Sequence, residues 1–89
     1  MSATYRRTAA TMSTEVGDDV VALQADRGFA YGMEQVTASV WKLLEQPRDL
    51  DALVGALTAE YEVDEDECRH EVGALLERMT AEGLVEQVQ

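Results

Sequence analysis

Residues 19–33 read Asp19-Val20-Val21-Ala22-Leu23-Gln24-Ala25-Asp26-Arg27-Gly28-Phe29-Ala30-Tyr31-Gly32-Met33. The first six are dense in β-branched and apolar side chains and have little helical periodicity, so they predict a strand. Ala25-Asp26-Arg27-Gly28 predicts a turn, because Gly28 can take a positive φ without a steric penalty. Phe29, Tyr31 and Met33 then alternate with Ala30 and Gly32, so a strand here carries bulk on one face and almost nothing on the other. A hairpin is expected, with its second strand bare on one side. That bareness fits a strand packed beneath a helix, and it equally lets a partner come close.

After Met33 the period changes from two to 3.6. Val36, Val40, Leu43 and Leu44 recur at helical spacing with Trp41 on the flank, and Pro47 stops the helix. Asp49 is a good N-cap for a second helix whose stripe is Leu50, Leu53, Val54, Leu57 and Tyr61, weakened only by Gly55. A third helix starts at Asp64, with Glu67 in the capping-box position and Val63 and Cys68 placed as a hydrophobic staple. Glu65, Asp66 and Glu67 suit the positive end of its dipole. Its stripe is Cys68, Val72, Leu75, Leu76 and Met79, and Gly83 is a natural stop. Leu84 and Val85 are expected to fold back on the core, and residues 86–89 to trail off.

On the other side of the hairpin, residues 5–12 can form a strand, though their alternation is poor. Residues 1–4 and 87–89 are expected to fray. Two or three strands followed by three short helices predict an α+β fold: a small sheet beside a helix-turn-helix trio, winged-helix-like in shape. Residues 1–89 make one domain, since 89 residues leave no room for a second.

The charge balance narrows the function. Eighteen acidic residues face seven basic ones, a net charge of -11. Phosphate backbones and anionic membranes need the opposite surplus, so neither is expected as the partner. On the third helix, Arg69 and Arg78 are outweighed by Asp66, Glu67, Glu71, Glu77 and Glu82, where a DNA reader would need cations. No apolar run approaches the ~18 residues of a membrane span. No apolar signal-peptide core follows Arg6 and Arg7, and one cysteine makes no disulfide framework, so a cytoplasmic location is expected.

Catalysis finds no constellation. His70 and Cys68 are two residues apart on one helix and point about 200° apart, so they cannot pair as nucleophile and base. Cys68 reads as a small apolar residue and His70 as a solvated one. Residues 60–71 hold seven acids and one arginine but lack the alternating acids and central glycine of a calcium loop. No glycine motif cradles a phosphate. No metal, no cofactor and no catalytic residue is expected. What remains is a protein-binding surface: an edge strand beside an apolar helix, the arrangement that β-augmentation uses.

From Val20 to Val85 the chain resembles the PqqD-like family of precursor-peptide recognition elements. Three patterns carry the resemblance: the hairpin from Val20-Val21-Ala22-Leu23 to Phe29-Ala30-Tyr31-Gly32-Met33; Val40-Trp41-Lys42-Leu43-Leu44 with Leu50-Asp51-Ala52-Leu53-Val54 and Glu60-Tyr61; and Val63-Asp64 through Glu71-Val72 and Leu75-Leu76 to Gly83-Leu84-Val85. Where the family usually has Leu-Asn, this chain has Met33-Glu34, a poorer cap for the first helix. The resemblance implies a winged helix-turn-helix-like domain with a small three-stranded antiparallel sheet and three helices, and no catalysis. It implies that a leader peptide adds as a strand beside Phe29, Ala30, Tyr31, Gly32 and Met33. The leader's side chains would meet Cys68, Glu71, Val72, Leu75, Leu76 and Met79. The free-standing size is most similar to the recognition proteins of lasso-peptide pathways. That implies as partners a transglutaminase-like cysteine protease, the leader peptidase, and a macrolactam cyclase. The alternatives are the peptide chaperone of the quinone-cofactor pathway, an acidic winged-helix regulator or nucleic-acid module, and a subunit that dimerises through the same edge.

Overall fold

The computed structural model describes residues 3–88. In chain order the elements are β1 (Thr4–Arg7), β2 (Thr11–Val16), β3 (Asp19–Gln24), β4 (Phe29–Met33), α1 (Gln35–Leu43), β5 (Arg48–Asp49), α2 (Leu50–Glu60), α3 (Glu65–Ala81) and β6 (Val85–Val88). The fold is α+β, with the expected three helices, but it has two three-stranded antiparallel sheets where one was expected. One has the order β5-β1-β6 and the other β2-β3-β4.

The hairpin forms as read. Val20 pairs with Met33, Ala22 with Tyr31 and Gln24 with Phe29. Gly28 takes φ +68° in the turn. Along β3 burial alternates strictly, with Val20, Ala22 and Gln24 inward. On the outward face Val21 and Leu23 stay exposed, and on β2 so do Met12 and Val16.

The amino-terminal stretch is not one strand over residues 5–12. It is divided at residues 8–10, giving one strand to each sheet. The cause is hydrogen bonding that periodicity cannot reveal. The Thr8 N–H donates to the Leu84 carbonyl at 3.0 Å, while the Ala25 N–H donates to the Ala10 carbonyl at 2.9 Å. The expected fraying is also corrected at both ends. Thr4 pairs with Val88 and Tyr5 with Gln87, and Arg6 bonds Glu86 at 2.6 Å. The part of that expectation concerning residues 1, 2 and 89 lies outside the described residues. β5 is two residues long, too short for any period to mark it.

The helices follow their signals. Asp49 accepts from the Ala52 N–H at 2.8 Å and Asp64 from the Glu67 N–H at 3.0 Å, so both caps are made. The Glu34 side chain makes no cap bond, and Gln35, the next residue, sits at φ +51°. The entry to α1 is therefore the weak helix start. α3 ends in a Schellman turn. Gly83 N–H donates to the Thr80 carbonyl and Leu84 N–H to the Met79 carbonyl, with Gly83 at φ +77°. Leu84 and Val85 are buried, as expected.

Trp41, on the flank of the α1 stripe, is buried all the same. It is the largest fully buried side chain, because β1 and β2 close over the side of α1 that the heptad-like stripe leaves free. Its Nε1–H donates to Ser13 Oγ at 2.9 Å, which satisfies the one polar atom the indole buries. The Arg7 guanidinium lies 4.5 Å over the ring and donates to the Trp41 carbonyl. Burial pushes the Arg7 pKa down, and the charges of Glu45 and Glu15 pull the other way.

Candidate functional site

β4 pairs with β3 on one side only, so among the described residues its other edge is open. Its two faces differ as the alternation predicts. Met33 is buried and Phe29 and Tyr31 are half-buried, while Ala30 and Gly32 are exposed. A Cβ built on Gly32 would meet nothing within 4 Å, so the outer face of β4 is bare.

α3 supplies the apolar wall. It makes its close backbone approaches to α2 and β6 rather than to β4. Its stripe divides into two sets. Val72, Leu76 and Met79 are at most 1% exposed and belong to the core, as does Met33. Cys68 and Leu75, each 6% exposed, reach the surface, and Glu71 is exposed. The eleven residues read from the sequence thus fall into seven that reach the surface (Phe29, Ala30, Tyr31, Gly32, Cys68, Glu71 and Leu75) and four that lie beneath it.

Two hollows flank Glu71. One, of about 210 Å³, is walled by Val36, Leu57, Tyr61, Val63, Cys68 and Val72, with Glu62, Asp64, Glu67 and Glu71 among its lining. The other is a shallow trough along α3 that includes His70, Glu71, Leu75 and Arg78. The sequence reading missed the contribution of Val36, Leu57 and Tyr61 to a cavity, because each lay on a stripe taken as core. Val63 carried a usable signal: as a staple partner of Cys68 it had to stand beside it, and it is 45% exposed there.

The chemistry at Cys68 is that of a packed thiol. Burial pushes its pKa up, and the negative charge of Glu71 adds to the rise. His70 is exposed on the same helix. Among the described residues no group of three or more His, Cys, Asp or Glu is placed to share a metal ion. No described helix is long and apolar enough to cross a membrane.

A small winged-helix-like domain with an open strand edge and an apolar helix has the geometry that strand addition uses. The family described as Coenzyme PQQ synthesis protein D (PqqD) matches residues 19–85. This chain belongs to that family. It is similar to TbiB1 in complex with the TbiA(beta) leader peptide, with 27% identity, a TM-score of 0.88, and coverage of 94% of this chain and 98% of that one. It shares its fold with a lasso peptide synthetase B1 complexed with the leader peptide, at 19% identity and a TM-score of 0.79, covering 92% of this chain and 96% of that one. No curated protein matches it.

Proposed function

We propose that this chain is a non-catalytic recognition protein that binds the leader segment of a precursor peptide, of the lasso class, by strand addition along β4. It would then present the precursor to a leader peptidase of the transglutaminase-like cysteine protease type and to a macrolactam cyclase. One observation carries the reading: the open edge of β4 belongs to a fold that matches a leader-peptide complex over 94% of the chain.

In this reading the seven surface-reaching residues touch the peptide, with Phe29 to Gly32 offering main-chain partners and Cys68, Glu71 and Leu75 meeting side chains. Met33, Val72, Leu76 and Met79 hold the strand and helix in place. The work needs no catalytic group, and a cytoplasmic location accords with the single cysteine, which is unpaired.

The test is a titration of the whole chain with labelled leader peptides from short precursor genes beside its own, followed by fluorescence anisotropy. Saturable binding of one such leader is expected. If none binds above an unrelated peptide of equal length, the reading fails. A second reading, chaperone of the quinone-cofactor precursor, has the family match in its favour. It predicts tighter binding of that precursor than of any lasso leader in the same assay.

A further inference from the structure

The hollow at the head of α3 does not stand alone. A second concavity lies beside it, and the two share Val36 and Tyr61 as a common wall. The Met33 end of β4 lies near this pair, because the chain passes from Met33 through Glu34 and Gln35 to Val36. The shared wall is apolar and half-buried, and Tyr61 is held there by a 2.7 Å hydrogen bond between its hydroxyl and Ser39 Oγ.

The rim has one sign. The first hollow is lined by four carboxylates, Glu62, Asp64, Glu67 and Glu71. The second is lined by four more, Asp18, Asp19, Glu34 and Glu60, against the single ammonium of Lys42. That ammonium is already engaged by Glu15 at 3.4 Å. The other cations of the chain are mostly committed elsewhere. Arg6 pairs with Glu86 and Arg69 with Asp51. Arg7, Arg27 and Arg48 donate to main-chain carbonyls. Arg78 lines the trough farther along α3. The molecule therefore supplies almost no countercharge for this rim, and a charged partner must bring its own.

Resting on the strand-addition reading, we infer that the peptide stretch continuing past the Met33 end of β4 carries a large apolar side chain with lysine or arginine close to it in sequence. The apolar side chain enters the 210 Å³ hollow against Val36, Tyr61 and Cys68. The cations lie over Glu62, Glu67 and Glu71 on one side and Glu34 and Glu60 on the other. An acidic or purely apolar segment would leave the rim unneutralised.

The probe is a display library of random twelve-residue segments, selected against the full chain at low salt. Enriched segments are expected to hold a large apolar residue flanked by lysine or arginine. Their affinity should fall about tenfold in a Glu62→Gln, Glu67→Gln, Glu71→Gln variant, and most of its salt dependence should go with it. Bound segments should also slow alkylation of Cys68 by iodoacetamide. Enrichment without basic residues, or equal affinity for the Gln variant, overturns the inference and leaves strand addition standing. Unchanged Cys68 alkylation in the bound state overturns the placement in the hollow. Proline substitutions along β4 report separately on strand addition: if none of the folded variants loses the selected segments, that reading fails while the acidic rim is judged on the Gln variant alone.

Discussion

Gly83 is where the most constraints meet. Its φ is +77°, and a Cβ there would stand 2.9 Å from Gln24 Nε2. Its carbonyl accepts from Gln24 Nε2 at 3.0 Å and Thr8 Oγ1 at 2.7 Å, so the end of α3 is tied at one atom to β3 and to the turn between β1 and β2. Gly83→Ala is expected to cost about 1–3 kcal/mol, from the left-handed backbone and the displaced Gln24, read as a lower urea midpoint with unchanged slope. Glu34 is the opposite case, since it caps α1 without a side-chain bond. Glu34→Asn is expected to add about 1 kcal/mol, seen as a higher melting temperature. Cys68 gives a pH signature. Its folded pKa lies above the ordinary 9.0. As pH rises past that value, the unfolded chain loses the thiol proton first, so stability falls, and Cys68→Ala should flatten the decline. Below that range the thiol is neutral in both states and contributes no slope. The glycine stop and the poor cap were legible from residue type alone. The Gln24–Gly83–Thr8 junction was not, because it joins positions far apart in the chain.

Helices and strands differed in how openly the sequence declared them. α2 and α3 have caps and stripes within one stretch, and both formed from the expected cap residues. The hairpin of β3 and β4 also reads locally. β1, β5 and β6 do not, because each is held by partners from distant parts of the chain, and Arg6 finds Glu86 only in the folded state. The burial of Trp41 was hidden for the same reason: its cover comes from Arg7 and Ser13. The candidate site was half legible. Alternation exposed Ala30 and Gly32, but a stripe cannot say which of its members are sealed: Leu76 and Met79 are, while Val72 backs the hollow beside Cys68. The edge itself gives a prediction. Successive N–H groups of a strand point to opposite sides, so Ala30 and Tyr31 donate in opposite directions. Of Ala30→Pro and Tyr31→Pro, one must break the ladder to β3 and lower stability by roughly 3 kcal/mol. The other should fold normally and lose leader binding. Circular dichroism with anisotropy separates the two, and two well-folded variants that both bind would show that this edge is not used.

At the scale of the molecule, the net charge of -11 first served to exclude nucleic acid and anionic membrane. Folded, that charge is concentrated enough to line two adjoining hollows. Self-repulsion should make the free protein more stable as salt is added, with the melting temperature climbing over the first few hundred millimolar of sodium chloride. A flat profile would mean the acids are too dispersed to repel. The molecule measures 35 × 32 × 19 Å, and its two sheets divide the labour of holding and offering. β4 lies in one sheet, and the pairing of Thr4 with Val88 lies in the other. Antiparallel neighbours sit about 5 Å apart, so residues 4 and 88 lie side by side on the sheet that does not contain β4. A short linker could join them, and the ring could then be reopened in the turn at residues 8–10 or 25–28 as a circular permutant. By the same geometry the domain could be spliced into a loop of a larger host as a removable cassette, with both junctions at one corner and β4 in the other sheet.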